Sequence, residues 1–256
     1  MNREQQPPSY ITPDWSVPDS VVALTTTRAG GCSEGAFASF NLALHVQDNP
    51  VAVTRNRRLL ADRLAGDLTF QWLEQVHGTD VLPVSVAGPA RRADAAFTTR
   101  RKLACCVLTA DCLPVFFASN KGDAVAVAHA GWRGLAAGIL ERTLAEFPSP
   151  PDATAVWLGP AIGPCHFEVG AEVREEFLAA ATGKLAEELA ACFSEAPGTR
   201  KYLADLYGLA RTRLHHRGVV SITGGGHCTF CQSEQFFSFR RQPETGRMAS
   251  LIYLKT

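Results

Sequence analysis

The 256-residue sequence has no surplus of charge: 25 lysines and arginines face 25 aspartates and glutamates, and the isoelectric point lies near 7.0. That balance removes any global electrostatic case for nucleic acid or an anionic membrane as partner, so an anionic ligand has to be held locally. No apolar run approaches the roughly 18 residues of a membrane span, and the polar, proline-rich start MNREQQPPSYITPDW lacks the apolar stretch of a signal segment. The expectation is a soluble, cytoplasmic protein. Neither G-x-G-x-x-G nor a P-loop occurs, which argues against a doubly wound nucleotide fold, and there is no repeat or low-complexity tract. Histidine is sparse at seven residues, too few to furnish the imidazoles of a multicopper oxidase.

What is present is enough apolar residue, 46%, to bury a substantial core in one domain. The eight cysteines are expected as reduced thiols, because a chain this long with a real core does not need disulfides. Residues 1–20 read as an extended lead-in and 21–256 as a single domain. Strands are predicted over Val21–Thr27, Thr69–Val76, Val81–Val86, Leu103–Leu108, Val115–Ala118, Ala124–Ala128, Ala153–Leu158 and Val219–Thr223. A closing pair is expected at Phe236–Arg240 and Ala249–Leu254. Several runs are continuously apolar rather than alternating, which suits strands buried on both faces. Helical spacing predicts helices over Val51–Leu64, Gly134–Phe147, Glu168–Phe193 and Lys201–His216. The order lacks a strict βαβ rhythm and implies mixed α/β architecture, with mixed sheets flanked by helices.

Three residues stand out: His77 in QVHGTD, Cys112 in TADCLP and His129 in AHAGWRG. Each lies among small or turn-forming neighbours at the end of an apolar run. Two imidazoles and a thiolate make a three-ligand set, which leaves the fourth position of a tetrahedral zinc ion open, whereas structural zinc is usually closed by four protein ligands. Other chemistries use the same atoms. Cys112 as nucleophile with His129 as base is the pattern of a cysteine hydrolase or amidohydrolase, and a His-His-Cys set also suits copper, the weaker metal here given the histidine count. A non-catalytic, zinc-stabilised binding protein is a further reading.

Around the trio, Asp111 supplies a carboxylate beside the thiol and is a candidate acid. Arg28 in TTTRAGG and Arg133 in HAGWRG could each fork onto phosphate oxygens, or could serve as an ion pair or carbonyl clamp. Asn41 and His45 in FNLALHV are polar residues in an apolar stretch, open to ligand contact or to bonding a loop. The pair Cys228-x-x-Cys231 is a weak metal signal without a second pair. Cys165-His166 in GPAIGPCHFEVG marks a tight turn and assigns no chemistry.

The ordered motifs QVHGTD, LTADCLP, AHAGWRG, LGPAIGPC, FFSFRR and TGRMA resemble those of the laccase-domain family, also called the YfiH family of purine nucleoside phosphorylases, from about Thr25 to the C-terminus. The resemblance implies a four-layer α/β/β/α domain with one catalytic zinc ion on His77, Cys112 and His129. It implies phosphorolysis of adenosine, inosine, guanosine or methylthioadenosine, with purine nucleoside and phosphate as partners and accessory deamination of adenosine. Members have also been called polyphenol oxidases, and some are linked to editing of peptidoglycan precursors. The usual deaminase pattern, H-x-E followed by P-C-x-x-C, is absent here. Base preference and oligomeric state are left open by the sequence.

Overall fold

The continuously apolar runs form the middle of two stacked, mixed sheets in a computed structural model that describes residues 7–64 and 67–255. One sheet has the strand order Tyr10–Ile11, Val21–Thr26, Met248–Leu254, Leu103–Thr109 and Thr69–Gln71, antiparallel except for the last pair. The other runs Ser221–Gly224, Thr154–Leu158, Leu113–Ser119, Val125–Ala130, Ala95–Thr98 and Val81–Pro83, antiparallel at the centre with a parallel pair at each edge. Of the lead-in over residues 1–20, residues 1–6 lie outside the described residues, while Tyr10–Ile11 pairs with Thr25–Thr26.

Side-chain alternation along each strand explains why the runs are apolar throughout. Leu103, Cys105 and Val107 face inward and meet Phe116, Val125, Val127 and Trp157 of the second sheet. Their neighbours Ala104, Cys106 and Leu108 face outward, against Phe40, Leu42 and Leu60, the last on the helix Pro50–Leu64. On the far side, Leu113, Val115 and Phe117 pack against Leu135, Ile139, Leu140 and Leu209 of the covering helices. Helix, sheet, sheet and helix are therefore four layers, as the family resemblance implied. Cys105 is a packing residue in the middle of the sandwich, and burial pushes its thiol up to about 12.

Several predicted elements break where local chemistry demands it. The expected helix Gly134–Phe147 is two, Trp132–Ala137 and Ile139–Glu146, divided by Gly138 at φ +99°, a left-handed conformation that glycine adopts without a Cβ penalty. Glu168–Phe193 is not one helix. It opens with the strand Glu168–Val169, continues as helices Ala171–Leu178 and Gly183–Ala190, and ends in a strand at Phe193. Within Lys201–His216 the strand Tyr202–Ala204 precedes the helix Leu206–His216, which Asp205 caps by accepting from the Tyr207 N–H. Thr69–Val76 is divided between two sheets. Phe236–Arg240 is no strand: it lies in turns, and its backbone serves the site described next.

Candidate functional site

The link from the first sheet to the second runs through residues 110–112, so Cys112 sits where the chain crosses between them. The strand Leu113–Ser119 pairs antiparallel with Val125–Ala130, placing Leu113 opposite Ala130 and Pro114 opposite His129. This register brings Cys112 and His129 together, as adjacent strand ends were expected to. His77 arrives on the loop before Val81–Pro83, at φ +60°, and Asp111 is at φ +89°. Both are uncommon conformations for residues with a Cβ, of the kind that cluster at functional sites.

The convergence is close. His77 Nε2 lies 3.7 Å from Cys112 Sγ, the two imidazoles meet edge to face at 4.7 Å between centroids, and the three potential ligand atoms all fall within 4.8 Å of one another. Gly131 forms a wall of this space: a Cβ there would come within 2.6 Å of the His77 ring and 3.1 Å of Cys112 Sγ. An N–S edge of about 3.5 Å follows for a tetrahedron with zinc about 2.3 Å from sulfur and about 2.0 Å from nitrogen. The donor set and the 3.7 Å separation both fit that ion.

Behind the trio stands Asp94, fully buried and not singled out by the sequence. Its carboxylate accepts the N–H groups of Val76, His77 and Gly78 at 3.2, 2.9 and 2.7 Å, and bonds His129 Nδ1 at 2.8 Å. One side chain thus shapes the His77 loop and fixes the His129 ring. With Nδ1 facing the carboxylate, Nε2 is left for the site, and a carboxylate on the other ring nitrogen is common to metal-binding histidines. Gln75 anchors the same loop by exchanging two hydrogen bonds with the backbone of Leu108.

Electrostatics favour a thiolate. Burial would raise the Cys112 thiol, but the imidazoles of His129 and His77 outweigh it and hold the value down to about 6. Burial would lower His129, yet Cys112 and Asp94 raise it to about 9. Cys112 therefore enters the site as an anion, the form that binds metals and attacks electrophiles.

The other sequence candidates divide. Asp111 is engaged on both oxygens, by Thr229 Oγ1 and by the Arg240 N–H, each at 2.6 Å. It holds the turn that presents Cys112. Arg28 is a carbonyl clamp: its guanidinium donates to Ala38 O through two nitrogens and to Ser233 O through the third. Asn41, wholly buried, donates to Ala43 O and Asp48 and accepts from the N–H groups of Ala43 and Arg247, so it bonds a loop. Arg133 is exposed, its guanidinium over the Trp132 ring at 4.4 Å.

His45 leads to a residue that sequence reasoning passed over. Burial and the cations Arg247 and Arg57 hold His45 below the usual histidine value. Burial lowers Arg247 in turn, while the negative charges of Cys112 and Asp111 pull it upward. Arg247 is therefore a guanidinium whose charge is felt by His45 and which in turn feels Cys112 and Asp111. Among the described residues its guanidinium donates through Nη1, to the carbonyls of Thr245 and Gly246, and lies over the Phe239 ring at 5.7 Å. In the sequence its motif TGRMA carries only the family resemblance, because nothing in spacing says that the C-terminal strand pairs with the strand leading to Cys112.

Comparison with known proteins places this site in a family. The chain is 48% identical over 249 residues to a purine nucleoside phosphorylase of Pseudomonas aeruginosa, covering 96% of this chain and 99% of that one. It is 49% identical over 247 residues to Escherichia coli YfiH, also named a purine nucleoside phosphorylase, at 95% and 98% coverage. The solved structure of Neisseria meningitidis NMB0706 superimposes with a TM-score of 0.91 at 47% identity, covering 96% of this chain and 99% of that one. Residues 22–255 match the family model described as multi-copper polyphenol oxidoreductase laccase, and with this match and these relatives the chain belongs to the laccase-domain, YfiH-like family.

Proposed function

We propose that this chain is a purine nucleoside phosphorylase that uses one zinc ion held by His77, Cys112 and His129. The observation that carries the reading is the end-to-end match to relatives named for that reaction. The open three-ligand set is compatible with it. In phosphorolysis a phosphate oxygen bonds to the anomeric carbon as the glycosidic C–N bond breaks, and the departing purine takes the electron pair and a proton. Zinc, when bound, supplies a Lewis acid that stabilises developing negative charge.

The chain's own residues divide the remaining work. Arg247, which feels the charge of Cys112 and donates among the described residues through Nη1 alone, and exposed Arg133 are the groups for phosphate. Arg28 is spent on carbonyls and holds the loop 28–38 in place. With both Asp111 oxygens occupied, Asp111 positions Cys112 rather than protonating the purine, and His45, which burial and the nearby cations keep neutral, is a contact for substrate rather than its acid. Adenosine, inosine, guanosine and methylthioadenosine are the candidate substrates, with deamination of adenosine as an accessory reaction and the cytoplasm as its setting. The copper chemistry in the family description is the weaker alternative, since seven histidines are too few to furnish the imidazoles of a multicopper oxidase.

Incubation of the purified chain with adenosine and inorganic phosphate should release adenine and ribose 1-phosphate. No base release from any purine nucleoside would refute the reading. The depressed thiol of Cys112 beside His129 favours one rival, a Cys112/His129 amidohydrolase acting on cell-wall precursors. Full activity in a metal-stripped preparation, lost on thiol alkylation, would select that rival.

A further inference from the structure

A second group of ligand-type residues lies outside the trio. Cys165 and His166 occupy the turn after Thr154–Leu158, and Cys228 and Cys231 occupy the loop after Ser221–Gly224. The parallel pairing of these two strands sets the loops side by side, and the pairing continues past the strand ends as a bridge between Ala161 and Cys228. Cys165 Sγ and Cys231 Sγ are 3.6 Å apart, and His166 Nδ1 lies 3.0 Å from Cys165 Sγ and 3.3 Å from Cys231 Sγ. All four ligand atoms fall within 4.8 Å of one another.

We propose that Cys165, His166, Cys228 and Cys231 form a second metal site, which takes a zinc ion and is structural. Three thiols and one imidazole are a complete tetrahedral set of the kind that closes structural zinc sites. Two sulfurs on a zinc ion, each about 2.3 Å from it, stand about 3.8 Å apart, whereas a disulfide brings them to about 2.0 Å. The observed 3.6 Å matches the first.

The surroundings are built for the cluster. The His166 ring is stacked on Phe230 at 4.0 Å, which orients Nδ1 toward the sulfurs. The Gly163 N–H donates to Cys228 Sγ at 3.2 Å, and a Cβ at Gly163 would meet that same sulfur at 3.2 Å, so the backbone approaches as closely as glycine allows. Adjacent arginines clamp the two loops: Arg240 donates to the carbonyls of His166 and Glu168, and Arg241 to those of Thr229 and Phe230.

Role follows from ligand count. His166-Phe167-Glu168 and Cys228-x-x-Cys231, the latter preceded by His227 where the deaminase pattern has proline, supply the residue types of a catalytic deaminase centre, in which a histidine and two cysteines bind zinc and a glutamate moves protons. Here Cys165 adds a fourth ligand, and the Glu168 carboxylate is bonded to Lys201 at 2.8 Å. The site is closed and holds loops. It also reaches the trio, because Thr229 and Arg240 grip Asp111, next to Cys112.

The test is metal content of the full chain purified under reducing conditions. Two zinc ions per chain are expected, with one remaining in Cys112→Ala and one in Cys231→Ser. In Cys112→Ala, cobalt(II) should bind at one equivalent with the visible bands of a tetrahedral, thiolate-rich site. That measurement decides the matter even where Cys231→Ser fails to fold. A single zinc ion in the unaltered chain that disappears in Cys112→Ala would overturn the proposal. So would a Cys165–Cys231 disulfide, found by mass spectrometry, in the native metal-loaded protein.

Discussion

The two cysteine-histidine clusters are built on different supports. His129 lies within a strand and Cys112 abuts one, and a single buried carboxylate, Asp94, ties His129 to the His77 loop. Cys165, His166, Cys228 and Cys231 stand on turns, with Cys165 and Cys231 exposed and arginine-to-carbonyl clamps at the rear. The first site is organised by sheet register, so in the proposed reading three ligands suffice and one position can be spared for substrate. Its counterpart has little ladder to order it and spends all four positions on holding the chain. Preorganisation by the fold and organisation by a metal are thus exchanged between them.

The strongest way to break this contrast is Cys112→Ala. Activity is expected to fall by more than about 100-fold, beyond what loss of an outer-shell partner costs. Melting temperature should hardly move, since the strands carry the geometry. A large loss of stability without loss of base release would reverse the assignment, marking the trio as structural. Asp94→Asn comes next. It leaves the fold's shape but weakens the acceptor for three N–H groups and for His129, and should lower zinc affinity at the trio by about 10- to 100-fold. Chelator competition measures it, and an unchanged affinity would show that strand register alone aims the imidazole.

How much of this was readable without coordinates differs between the same regions. The runs at Leu103–Leu108 and Ala124–Ala128 read as strands because burial on both faces removes alternation, and His77, Cys112 and His129 stood out at their ends. Asp94 did not, since a residue whose work is to bond backbone N–H groups has no spacing of its own. Phe236–Arg240 has the composition of a strand but lies in turns, where the Arg240 N–H meets Asp111. The lone Cys228-x-x-Cys231 looked weak because its partners, Cys165 and His166, are supplied by a distant turn through a strand pairing that composition does not encode.

The arginines sharpen the contrast at smaller scale. Arg247→Ala should raise the KM for phosphate about tenfold, equivalent to about 1.4 kcal/mol, with a smaller change in kcat. Arg28→Ala removes donors from two carbonyls and should cost stability, about 1 to 3 kcal/mol for the groups left unpaired, without altering that KM. If the KM responded to Arg28 instead, phosphate would lie on the far side of the 28–38 loop and the role given to Arg247 would fall.

The smallest effect on turnover is expected at the closed site. Cys231 is exposed and belongs to the cluster that holds loops, so Cys231→Ser should remove one zinc ion and lower the melting temperature by about 5 °C, near 2 kcal/mol for a chain of this length. Two hydrogen bonds limit how far that loss reaches the trio: Thr229 to Asp111, and the Arg240 N–H to Asp111. Arg240 and Arg241 still clamp their carbonyls without the metal, so Asp111 keeps its donors and kcat should drop only about two- to threefold. Reducing the clamp as well, in Cys231→Ser with Arg241→Ala, should deepen the loss of kcat beyond the product of the single changes, since both hold the loop bearing Thr229. Strict additivity of the two would mean that the closed cluster stabilises its own loops and nothing else, and that the two sites are independent.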